Sequence, residues 1–310
     1  MKNTAKKKIN KRVILHYFYL IRNQRFIFRW ITNLKYTLMY LIFVKNRSNN
    51  LIEDQIRKKI LSDLRQNGIA FSTIDEFFPQ IDFLDQMKAW IDRNNKNLVY
   101  KEKKEFLMSY HGNADSILDL DSNNPFINFY LSVPILRIVC DYLGYIPQLN
   151  YLTIEKTLVM KESSPVHSQK WHRDPEEQKM IKVFIYLNDV NENNGPFFYI
   201  NGSQPSSKSK FRNIAPQYLP KGSYPDEVKV MEAIQPEAIV CAKGKVGTLI
   251  FCDTAGLHRG GFAVDGERIM STAFFPSRKW SAPALLRKSK TYQFNYNSSL
   301  AKKILQNSFK

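Results

Sequence analysis

Acidic residues are missing from both ends of the chain. None occurs before Glu53 and none after Glu267, whereas twelve Lys or Arg precede Glu53 and nine follow Glu267. The net charge of +18 therefore belongs to the flanks, and between Glu53 and Glu267 there are 25 basic against 28 acidic residues. This distribution excludes a basic body built to track a phosphate backbone, and the base-stacking motifs of RNA-binding modules are absent too. Nucleic acid is not expected as a partner.

Cysteine is scarce. Cys140, Cys241 and Cys252 are odd in number and show no paired metal spacing, which excludes a disulfide framework and a zinc ribbon and fits a reducing, cytoplasmic setting. Long apolar runs are lacking as well. In the first fifty residues the longest uncharged run, Tyr36 to Val44, is nine residues, about half of the roughly 20 needed to cross a bilayer. The first apolar run, Val13 to Ile21, contains His16 and is followed by Arg22 rather than a small-residue cleavage site, so a secretory signal is not expected either.

What is present divides the chain into three parts. Residues 1–52 form a basic, aromatic-rich arm with helical character. Its first 48 residues suit either peripheral contact with an anionic membrane surface or packing on the protein's own body. Residues 53–280 read as the catalytic domain, and 281–310 as a basic, polar tail with disordered character. Within the domain, "QIRKKILSDLRQ" places Ile56, Ile60, Leu61 and Leu64 at helical spacing, and "NGIAFSTIDEFFP" supplies a Gly turn, a short strand and a stop at Pro79. "PILRIVCDYLGYIPQLN" repeats the idea, with a helix ended by Gly144. After Tyr151 come strands: "LTIEKTLVM", "KVFIYLNDV", "GPFFYI", "GTLIFCD" and "IMSTAFFP". Helices followed by antiparallel strands predict an α+β fold with a jelly-roll core.

The segment "SQKWHRDPEEQK" carries the chemistry. A kinase catalytic loop would need Asn five residues beyond Asp174, and Lys179 stands there; no Gly-rich phosphate loop and no Asp-Phe-Gly occurs. A metal site fits better. Side chains at i and i+2 of a strand share a face, so His172 and Asp174 could offer an imidazole and a carboxylate to one ion while Arg173 points away. The third ligand must come from His16, His111, His167 or His258. His258 stands out because it follows "GTLIFCD" and precedes Gly260 and Gly261. Two His and one carboxylate leave three positions open, as in non-haem Fe(II) oxygenases. Arg268, opening the strand "RIMSTAFF", needs an anionic partner: a structural carboxylate or, beside such a triad, the distal carboxylate of 2-oxoglutarate.

Four stretches together resemble the phytanoyl-CoA dioxygenase family of Fe(II)/2-oxoglutarate oxygenases. They are "NGIAFSTIDEFFP", "YLGYIPQLNYLTIEKTLVMK", "WHRD" with "FIYLNDVNENNGPFFYINGSQ", and "GTLIFCDTAGLHRGGFAVDGER", spanning Gln55 to Pro276. The resemblance implies a double-stranded β-helix, cupin-like, with N-terminal helices packed on the sheet. It also implies iron ligands His172, Asp174 and His258, and Arg268 as the clamp on 2-oxoglutarate. Lys161 and Tyr186 sit where the family places further cosubstrate contacts. The implied reaction uses O2 and 2-oxoglutarate, releases succinate and CO2, and hydroxylates a small-molecule or lipid-like substrate; related halogenases lack the carboxylate that Asp174 provides. Where the family commonly has Gly-Ser-His, this chain has Gly202, Ser203 and Gln204. The alternative is a non-oxidative or non-catalytic metal-binding jelly roll, associated with a membrane surface or a partner. Neither the substrate nor the oligomeric state is legible.

Overall fold

The computed structural model describes residues 26–43, 51–101, 104–110, 118–120, 123–160, 164–216, 219, 223–276, 286–288 and 298–308. Its centre is a sheet of seven strands: β1 (Ile69–Thr73), β2 (Val99–Lys101), β3 (Lys104–Ser109), β5 (Tyr151–Thr157), β6 (Ile181–Tyr186), β9 (Thr248–Cys252) and β11 (Arg268–Phe275). They lie in the order β1-β9-β6-β11-β5-β3-β2 and pair antiparallel throughout. Facing it is a smaller sheet, β10-β7-β8, from β7 (Phe197–Ile200), β8 (Ile239–Ala242) and β10 (His258–Gly260). A parallel pair, β4 (Leu118–Leu120) with β12 (Leu286–Lys288), stands apart.

Alternation along the central strands assigns their faces. Leu152, Ile154, Ile181, Val183, Ile185, Leu249, Phe251, Ala273 and Phe275 point to one side and join the helices in the main core. Each of these side chains other than Ala273 contributes about 1.5–3 kcal/mol when taken out of water. The interleaved residues Phe184, Tyr186, Ile250 and Cys252 pack inward with Phe197 and Tyr199 of the small sheet. Sheet facing sheet, with helices on the outer face, is the double-stranded β-helix expected from the sequence.

The helices follow their local signals. Leu51–Asn67 ends at Gly68, whose φ of +82° suits glycine, and a Cβ there would collide with the Tyr199 hydroxyl and the Gln204 amide. Thr73 and Glu76 form a reciprocal cap that starts Ile74–Phe77. Val133–Leu143 stops at Gly144 in the left-handed region, φ +80°, and buries Ile135, Leu136, Ile138, Val139 and Cys140.

The ends differ from expectation. Far from being a polar tail throughout, the C-terminal part contains the helix Ser299–Ser308, whose Ala301, Ile304 and Leu305 are fully buried. The Asn307 amide donates to the Pro147 carbonyl and locks that helix beside Val133–Leu143. In the basic arm, the helix Phe26–Phe43 buries Tyr36 in the main core and lets the Tyr40 hydroxyl donate to Asp141 at 2.6 Å. Leu34, Leu38, Leu41 and Ile42 of the same helix are exposed. Among the described residues no helix is long and apolar enough to cross a membrane.

Candidate active site

The open end of the sandwich, between the two sheets, holds a cavity of about 280 Å³. His172 and Asp174 reach it from the segment before β6, and His258 from the start of β10. The segment 172–174 is not a ladder strand as its spacing suggests. It makes one antiparallel bridge, His172 to His258, and one further bond from the Asp174 amide to the Thr254 carbonyl at 2.9 Å. Pro175 follows at once and can donate nothing, which ends the pairing.

The bridge brings the two imidazoles to a centroid separation of 4.2 Å. The Asp174 Oδ2 lies 3.8 Å from His258 Nε2, and one ligand atom from each of the three residues lies within 4.8 Å of the others. His172 Nδ1 contacts the Lys170 carbonyl at 2.8 Å and His258 Nδ1 the Gly256 carbonyl at 3.0 Å. A proton on Nδ1 satisfies both contacts and leaves each Nε2 lone pair free for a cation. Burial keeps both imidazoles neutral: it lowers His172, and with the nearby His172 it brings His258 down to about 3. Burial alone would raise Asp174, but Lys182, His258 and His172 hold it well below the usual carboxylate range. Two neutral imidazoles and an ionised carboxylate are the donor set a divalent metal needs.

Arg268, at the start of β11 and opposite Thr157 of β5, lines the same cavity. Its Nη2 donates to Thr157 Oγ1 at 3.2 Å, while Nε and Nη1 are buried without an acceptor among the described residues. A guanidinium with two orphaned donors facing a cavity fits a carboxylate ligand. Tyr186 is fully buried beside it; its hydroxyl donates to the Ala242 carbonyl at 2.7 Å and accepts from the Phe197 amide at 3.3 Å. Lys161 lies outside the described residues, as do His16 and His111. His167 opens a short 3-10 turn and does not join the cluster.

Arg173 turns the other way. It donates to the carbonyls of Ala215, Ser203, Ala255 and Arg212, tying three loops together behind the site. Ser203 accepts from the Leu257 amide at 2.8 Å and fixes the entry to β10. Gln204, where a His was expected, is buried with its amide aimed at the Leu64 and Arg65 carbonyls, so it caps a helix rather than facing the cavity.

Sequence reasoning missed three lysines that line the cavity: Lys101, Lys104 and Lys182. For Lys182 a signal existed, because it alternates with Phe184 and Tyr186 on the inward face of β6. Its Nζ lies 2.6 Å from Asp174 Oδ2, and Lys101 pairs with Glu155.

No curated protein matches the sequence. Among solved structures, the epimerase SnoN, in complex with Fe3+, alpha-ketoglutarate and nogalamycin RO, is similar in fold. Its TM-score is 0.52 at 13% identity, over 73% of this chain and 85% of that one. EctD from S. alaskensis, solved with 2-oxoglutarate and 5-hydroxyectoine, gives 0.51 at 15% identity, over 76% and 81%. The family model for phytanoyl-CoA dioxygenase matches residues 64–262, more than half of the chain and all of the cavity's metal-ligand candidates. The chain belongs to the phytanoyl-CoA dioxygenase family of Fe(II)- and 2-oxoglutarate-dependent oxygenases.

Proposed function

We propose that this protein is a hydroxylase acting on a small-molecule or lipid-like substrate, with His172, Asp174 and His258 holding the iron and Arg268 receiving the distal carboxylate of 2-oxoglutarate. The observation that carries this is a single cavity holding both the three converging donor atoms and the two unsatisfied N–H groups of Arg268. When bound, the iron with its 2-oxo acid supplies the oxidising chemistry, consuming O2 and releasing succinate and CO2. The residues supply the rest. Carbonyl contacts at each Nδ1 keep the imidazoles in the ligating tautomer, Thr157 aligns the guanidinium, and Tyr186 packs beside it. Phe184, Phe197 and Met270 line the interior with apolar surface that excludes water. Lys161 is assigned to the cosubstrate on the family pattern alone. The Asp174 carboxylate favours hydroxyl transfer over halogenation, because it occupies the position a halide would need.

Anaerobic titration with Fe(II) and then 2-oxoglutarate tests the assignment. A weak visible charge-transfer band should develop, and succinate should form once O2 is admitted. Absence of the band in folded, iron-loaded protein would return the chain to the non-oxidative metal-binding alternative.

A second reading concerns location. The exposed residues Leu34, Leu38, Leu41 and Ile42 recur at helical spacing on the side of Phe26–Phe43 away from Tyr36, within an arm that has no acidic residue. We infer a cytoplasmic protein that rests this face on an anionic membrane.

A further inference from the structure

The cavity carries more positive charge than iron and 2-oxoglutarate account for. Among the described residues that line it, Lys101, Lys104, Lys182 and Arg268 face only Glu155 and Asp174, an excess of two positive charges. A divalent metal adds two and 2-oxoglutarate removes two, so loading leaves the excess where it was. Glu176 lies close to Lys182 and Asp174 and offsets one charge at most.

The cations are not equivalent. Lys101 is paired with Glu155, Lys182 with Asp174, and Arg268 is the partner proposed for the cosubstrate. Lys104, on β3, has no carboxylate in ion-pair range among the described residues. Its one polar contact among the described residues is 3.4 Å from Nζ to Ser168 Oγ, at a turn four residues before His172. Burial lowers its pKa, as do Lys101 and Lys182 nearby, while the more distant charges of Glu155 and Asp174 pull the other way, so the ammonium is short of solvent and lacks a partner of its own. A lysine that cavity walls remove from water, beside a serine hydroxyl and within one cavity of the metal-ligand candidates, is suited to receive an anion.

We propose that the primary substrate carries a carboxylate or phosphate group that Lys104 Nζ and Ser168 Oγ bind, which holds the carbon to be hydroxylated toward the metal. This rests on the iron and 2-oxoglutarate reading above and narrows its substrate class to organic acids or phosphate esters.

The test uses the full chain, anaerobic, with Fe(II) and saturating 2-oxoglutarate, titrated with butyrate, butyl phosphate or butyramide while the charge-transfer band is followed. At least one of the two acids should perturb the band at concentrations tenfold or more below the neutral amide, and the tighter acid identifies the group. Lys104→Met should weaken that acid at least tenfold, leave 2-oxoglutarate binding within twofold, and be largely rescued by Lys104→Arg. Equal binding of the amide, no binding of either acid, or an unchanged acid affinity in Lys104→Met would overturn the proposal. So would a loss of 2-oxoglutarate affinity in that variant, which would place Lys104 in the cosubstrate site. A wild-type protein with no band would instead overturn the underlying reading, and this proposal with it.

Discussion

His172 and His258 exchange both of their backbone hydrogen bonds, at 3.0 and 2.9 Å, and this reciprocal bridge sets their rings 4.2 Å apart. The two imidazoles come from positions 86 residues apart in sequence, so their separation is a property of the fold and not of a local motif.

Removing either ring should therefore cost metal binding without loosening the sheet. His172→Ala and His258→Ala are expected to weaken Fe(II) by more than the 10–100-fold typical of outer-shell losses, and to abolish succinate formation. Iron content after desalting, read beside circular dichroism, checks both halves.

Arg268→Ala should leave Fe(II) affinity intact and raise the dissociation constant for 2-oxoglutarate. Charge-assisted hydrogen bonds contribute about 1.5–3 kcal/mol each, so a weakening of roughly tenfold or more is expected, the loss of a single bond setting the lower end. Titration of the charge-transfer band measures it directly.

Asp253 offers a test by pH. Burial raises its carboxyl from 3.8 to about 6, although Tyr142, Lys179 and the Ala255 and Met180 amides pull the other way. The folded state thus holds a proton that the unfolded state has released, and stability falls as pH rises from about 4 to about 6. Two pH units at about 1.4 kcal/mol each bound the loss near 3 kcal/mol. In Asp253→Asn this fall should vanish, so its melting temperature should gain on the wild type between pH 4 and pH 7. Parallel curves for the two proteins would remove Asp253 as the cause.

Leu38→Glu with Ile42→Glu alters only exposed positions. The double variant should lose co-sedimentation with phosphatidylserine-containing vesicles and keep its iron chemistry. Sedimentation equal to that of the wild type would discard the membrane reading.

The parts of this fold that sequence revealed are those in which one residue type repeats at a fixed period. In β5, Leu152 and Ile154 alternate with Thr153 and Glu155, and that alternation alone separates the helix-facing side from the cavity-facing side. Gly144 was legible because few other residues take a positive φ cheaply. Hidden were β3, whose "KEFLMS" opens on two charges, and the C-terminal helix, whose buried face of Ala301, Ile304 and Leu305 is diluted by lysine and asparagine. In the candidate site, spacing and residue type pointed to His172, Asp174, His258 and Arg268, which the fold gathers at one cavity. The cavity lysines were harder, because their role arises from what the folded walls exclude, and a charged residue in a strand reads as solvated until those walls are known.

Arg173 stands between two metal-ligand candidates in sequence and yet spends its guanidinium on four carbonyls from the opposite side of the backbone. Spreading His172 from Asp174 would mean dragging that anchor out of its seat. The spacing of the donor atoms is thus held by the polypeptide before any ion arrives, like a socket cast in advance. If these residues hold the iron as proposed, an ion of the wrong radius would meet a frame set by that anchor, and metal exchange would not require the protein to refold.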